Sequence, residues 1–169
     1  PPSITYVVTL RARVVREQGE PNPAFKVSLA LNRTTFEAGE EMALTLSATQ
    51  DCYVTVLNLT ANNTVRVLLP NALRKESRLK AGEVVTFPGP AEQAAGIRLR
   101  VYPLPGHRED AEIIKVIATR TFVPLGDGAK IEGQFGVLGV PVLAVMDLGL
   151  VFVSVRDRAE VTATYRVVV

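Results

Sequence analysis

Residues 53–71 read Tyr-Val-Thr-Val-Leu-Asn-Leu-Thr-Ala-Asn-Asn-Thr-Val-Arg-Val-Leu-Leu-Pro-Asn. Two runs rich in β-branched and apolar residues flank Ala61-Asn62-Asn63, and Asn tolerates the positive φ that a tight connection needs, so the stretch reads as a hairpin. Leu69-Pro70-Asn71 ends the second strand, because proline has no N–H to give to a ladder. Asn71 is placed to bond the backbone that follows it and fix the turn after Pro70.

The same pattern recurs on both sides of this hairpin. Residues 4–14 alternate with period two: Ile4, Tyr6, Val8, Leu10, Ala12 and Val14 on one face, Thr5, Thr9, Arg11 and Arg13 on the other. Alternation returns at 25–31 and, after a Gly39-centred turn, at 42–48. Further strands are expected at 84–87 after Ala81-Gly82-Glu83, at 97–102 after the break Pro88-Gly89-Pro90, at 112–120, and at 159–169. Gly126-Asp127-Gly128 is a turn, and the glycines of 130–139 leave that stretch without an assignment. The continuous apolar run 141–155 fits a short helix or a buried strand pair equally well.

Short strands separated by Gly, Pro and Asn turns point to a mainly β chain. The expected architecture is a single antiparallel, Ig-like β-sandwich over residues 1–169. A short helical or irregular excursion falls between about 133 and 157. The first strand, 4–14, is expected to pair with the last, and the core to draw on Val8, Leu10, Val27, Leu29, Leu44, Leu46, Val54, Val56, Val67, Leu99, Val101, Ile114 and Val116.

Composition narrows the function classes. The chain has 169 residues, 47% hydrophobic, with 19 basic and 17 acidic side chains for a net charge of +2. Nucleic-acid binders concentrate a basic excess, so no nucleic-acid partner is expected. The single cysteine, Cys52, excludes an intramolecular disulfide and reads as a small, half-buried strand residue. A nucleophilic Cys52 would need His107, the only histidine, and partners of that kind meet in space rather than in sequence. The acids Asp51, Asp110, Glu112, Asp127, Asp147 and Asp157 are scattered without a calcium-loop pattern, so neither metal nor cofactor is expected. The pairs Glu40-Glu41 and Glu109-Asp110 with Glu112 carry no specific signal, and no phosphate loop, nucleophile elbow or dinucleotide fingerprint occurs. Asp147, Pro141, Gly139 and Gly149 interrupt the apolar stretch 137–155, which reads as core rather than a membrane span. Pro1-Pro2-Ser3 opens without a signal-peptide pattern.

Arg74, Lys75, Arg78, Arg98 and Arg100 form the candidate interaction face. The loop 74–80 adds Lys80, and Arg11 and Arg13 would extend a stripe with Arg98 and Arg100 if their strands pair. Such a face suits an acidic protein partner or the anionic cell envelope; solubilising charge and edge protection are the plainer alternative.

The ordered set of Phe36 before Gly39-Glu40, Asp51 before Tyr53-Val54, Leu68-Leu69-Pro70-Asn71, Leu79 with Ala81-Gly82, Pro88, and Glu112 through Ile117-Ala118-Thr119 resembles a bacterial family, domain of unknown function 4384, over about residues 27–124. The resemblance implies a β-sandwich-like module of lipoproteins or secreted proteins, or one lying downstream of kinase-like or caspase-like peptidase domains. It implies no activity and no catalytic residues. Gly39 and Gly82 would supply conformations other residues resist, and Phe36, Tyr53 and Pro70 would close the sandwich ends. The expected function is a non-catalytic accessory, protein-interaction module of a bacterial envelope, periplasmic or secreted protein. The alternative is a regulatory or docking domain of a larger kinase-like or peptidase protein whose catalytic part precedes Pro1.

Overall fold

The computed structural model describes residues 19–124, 130–132, 135–138 and 153–169. In chain order these form β1 (Val27–Leu31), β2 (Thr35–Glu37), β3 (Glu41–Met42), β4 (Leu44–Ala48), β5 (Cys52–Leu59), β6 (Val65–Leu69), β7 (Arg78–Leu79) and β8 (Val84–Phe87). There follow α1 (Pro90–Ala94), β9 (Leu99–Arg100), β10 (Glu109–Thr119), β11 (Lys130–Glu132), β12 (Phe135–Leu138) and β13 (Arg158–Val168). The large sheet runs β11-β12-β6-β5-β10-β13-β2, with β7 also on β5; the small sheet runs β1-β4-β8, and β3 and β9 make a ribbon. Every pairing is antiparallel except β13 with β2, which is parallel.

The hairpin forms where the sequence places it. Asn63 takes φ 62°, and the Thr60 N–H reaches the Thr64 carbonyl at 3.0 Å. Asn62 Oδ1 accepts from the hydroxyls of Thr60 (2.6 Å) and Thr64 (2.8 Å), so the side chain closes the turn that the backbone starts. The β5–β6 register shifts between Val56 and Leu57. The extra residue lies in β6, and Leu68 and Leu69 consequently both enter the core.

Period two then sorts β10: Ile114, Val116 and Ala118 face the small sheet, while Ile113, Lys115 and Ile117 face away. Leu44, Leu46 and Phe87 of the small sheet pack with Val54, Val56, Ile114, Val116, Tyr165 and Val167 of the large one. Each of these Val, Leu, Ile and Phe side chains contributes about 1.5–3 kcal/mol on burial. Phe36 meets Tyr165 edge-to-face, ring centroids 5.7 Å apart. A smaller cluster of Leu57, Val65, Val67, Ile117 and Leu138 forms on the opposite face of the large sheet. Of the expected core, Leu29 is half-buried, the other described members are buried, and Val8 and Leu10 lie outside the described residues.

The expected strand 4–14, its pairing with the last strand, and most of the excursion 133–157 also fall outside the described residues. Within that excursion Phe135–Leu138 is strand and Val155–Asp157 a single 3-10 turn. The strand expected at 97–102 is cut to Leu99–Arg100, paired with β3, whereas that expected at 112–120 starts earlier, at Glu109. The break Pro88-Gly89-Pro90 opens into α1, with Pro90 in its first turn and Glu92 reaching back to the Gly89 N–H at 2.9 Å. Among the described residues no helix is long and apolar enough to cross a membrane.

Candidate functional site

The candidate site is the corner where β6 leaves the large sheet. After Pro70 the chain swings out through residues 71–77 and returns as β7 to the same edge of β5, with Cys52 opposite Leu79 and Tyr53 opposite Arg78. Asn71 organises this loop as its sequence position suggests. Its Oδ1 accepts the N–H groups of Leu73 and Arg74, both at 2.9 Å, and its Nδ2 donates to the Leu68 carbonyl at 3.1 Å. Arg74 then crosses to α1, where its Nε lies 2.7 Å from Oε1 of Glu92, a side chain only 4% exposed. The same carboxylate caps Gly89 through its other oxygen.

Arg98 holds the far end of α1, donating to the Gln93 carbonyl at 3.0 Å. It also approaches Glu41, which lies opposite Arg100 in the β3–β9 ribbon and pairs with both guanidinium groups at 3.4–3.5 Å. Arg74 and Arg98 are thus brought to one helix, with Lys75 exposed beside the first and Arg100 beside the second. Arg78 points elsewhere, to Asp51 at 3.4 Å. Asp51 also accepts the Ala81 N–H at 2.9 Å, and that bond, with Arg78 assisting, holds its carboxyl below the usual range. Arg11 and Arg13, the other half of the expected stripe, lie outside the described residues.

A second polar group sits at the opposite end of β10. Glu112 and Tyr165 face each other across β10 and β13, and the phenol donates to Glu112 Oε2. Asn58 Nδ2 donates to the same oxygen at 3.1 Å and lies 3.1 Å from the Tyr165 hydroxyl. Burial first, and then the Glu112 charge, push the Tyr165 hydroxyl far above its ordinary pKa. The trio has a signal in the sequence: Asn58 shares its face with Val54 and Val56, and Glu112 shares its face with Ile114 and Val116. Polar residues at core-facing positions demand partners.

The remaining reactive side chains lie apart. His107 Nδ1 is 2.7 Å from Asp110 Oδ1, and Asp110 Oδ2 accepts the Leu104 N–H at 2.5 Å. The Leu104 bond, then His107, lowers the Asp110 pKa. Cys52 is fully buried rather than half-buried, and burial, then Asp51, pushes its thiol up to about 11. Because Tyr53 lies opposite Thr119, Cys52 and His107 sit at opposite ends of β10, about 30 Å of strand apart. The Cys52–His107 pair left open by the sequence does not form. Among the described residues no three His, Cys, Asp or Glu side chains gather as a metal site.

Other members of the quoted pattern are framework. Gly39 takes φ +89° against the Tyr102 ring, and Gly82 takes φ +74° where its N–H bonds the Ala48 carbonyl. Tyr53 does not close the sandwich end: with Val54 in the core, its side chain takes the outer face and meets Phe122 at 5.7 Å. These residues fall within a match between residues 35–121 and the family model described as domain of unknown function (DUF4384). The chain belongs to this family. No curated protein and no solved structure matches the chain. Within the DUF4384 region lie the Asn71 loop, α1, the Glu41 ribbon and all of β10; β13, which supplies Tyr165, lies outside it.

Proposed function

We propose that this DUF4384 domain is a non-catalytic accessory module that acts through protein contacts. One observation carries the reading: each buried carboxylate among the described residues closes on partners of its own, as does Glu41 in its ribbon. Glu92 is held by Arg74 and Gly89, Glu112 by Tyr165 and Asn58, Asp110 by Leu104 and His107, and Glu41 by two arginines. Such groups stiffen a scaffold and present its loops. The basic residues Arg74, Lys75, Arg98 and Arg100 around α1 suit an acidic partner. The reading extends to a bacterial envelope or secreted setting, on the strength of the family resemblance.

The test is to fractionate cells producing the full-length native protein and to purify it after mild crosslinking. Expected is a stoichiometric partner in the envelope or secreted fraction, with capture reduced by Arg98→Glu with Arg100→Glu. A protein that stays unaccompanied at all concentrations, or turnover abolished by Glu112→Gln, would contradict the proposal.

A further inference from the structure

Loop 71–77 is fixed more firmly than its position at the surface requires. Asn71, itself buried, anchors its start through three side-chain hydrogen bonds. Arg74 fixes its middle through the buried Glu92. At its end Ser77, buried and at φ 39°, accepts the Val54 N–H at 3.0 Å. Removing a carboxylate from water carries a cost that its partner mostly offsets, so this ion pair contributes order more than stability. Between the anchors Leu73 stands 55% exposed. A large apolar side chain on a backbone already ordered loses little freedom on binding, which is how interface anchors gain affinity.

We propose that loop 71–77 is the recognition loop of this module. Leu73 enters an apolar pocket on a protein partner, and Lys75 pairs with a carboxylate at the pocket rim. The choice of partner follows from charge: across the corner Arg74, Lys75, Arg98 and Arg100 outnumber Glu41, Glu76 and Glu92. The inference rests on the accessory-module reading and adds to it the loop and the chemistry it selects.

The experiment puts a photo-crosslinking benzoylphenylalanine at Ala72 of the full-length protein in its native cells, with the same probe at Thr45, exposed on the small sheet, as control. Expected is a discrete adduct at position 72 whose mapped partner peptide carries Asp or Glu close to the linked residue. Leu73→Ala abolishes the adduct without shifting the melting temperature. Lys75→Glu weakens it several-fold. Glu92→Gln also weakens it, although it makes the corner more basic, because the loop loosens; Arg74→Lys serves as the milder variant if Glu92→Gln melts near the assay temperature. An adduct no stronger than that at Thr45, or one indifferent to Leu73→Ala and Lys75→Glu, overturns the proposal. Adducts from probes at Arg98 or Arg100 but not at Ala72 overturn the loop and leave the accessory module standing; none from any position overturns both.

Discussion

Glu92 and Glu112 are both buried carboxylates, and the molecule satisfies them in opposite ways. Glu92 has a cation, Arg74, and a backbone N–H three residues away. It ties a loop to a five-residue helix. Glu112 has a phenol and an amide from strands 53 and 54 residues distant in sequence, and it ties the centre of one sheet together. A charge answered by a charge adds little net stability while both remain and is costly once one is lost; a charge answered by neutral dipoles declines by smaller steps.

The largest expected effect is therefore at the corner. Arg74→Ala leaves Glu92 buried without its cation and should cost about 3 kcal/mol, roughly 6–12 °C in melting temperature for a chain of this size. Adding Glu92→Gln should return much of the loss, and thermal melts of the two variants check both numbers. Tyr165→Phe keeps the ring against Phe36 but removes one donor from Glu112, and should cost about 2 kcal/mol by urea titration. A larger loss for Tyr165→Phe than for Arg74→Ala would reverse the contrast.

Asp110 is a third case, a carboxylate held first by backbone and second by a histidine. Its pKa is lower folded than unfolded, so its contribution is complete above the unfolded value, about 4, and is lost as pH falls through the folded one. The stability difference between the wild type and Asp110→Asn should shrink in melts as pH falls below about 4. Cys52 is the limiting case, an ionisable group whose largest influence is burial itself. With its thiol pushed up to about 11, it should resist iodoacetamide at pH 8 until the protein unfolds, and labelling of the native protein would contradict its burial.

These contrasts also mark how far the chain could be read. Hairpin, Asn71 turn and core parity were legible because each depends on neighbours a few residues away, and Val54, Val56, Ile114 and Val116 fall where alternation puts them. The short helix was not, since five residues are fewer than two turns and Pro-Gly-Pro announces only a break. Tyr53 takes the outer face rather than the sandwich end because its neighbour Val54 occupies the core side. The basic residues were legible as a group, but their acid partners were not: Glu41 lies 57 and 59 positions from Arg98 and Arg100, and only the β3–β9 pairing brings them together.

The order of strands in the large sheet has a consequence for how the chain comes into being. β13 lies between β10, which it pairs along its whole length, and β2, more than 120 positions earlier. On a ribosome β2 and β10 emerge long before their shared neighbour, with their hydrogen-bonding edges open and Phe36 still waiting for Tyr165. Closing so distant a pairing is slow, and exposed strand edges invite other chains. The nascent domain therefore passes through a window in which β2 and β10 are made and residues 158–168, which join them, are not.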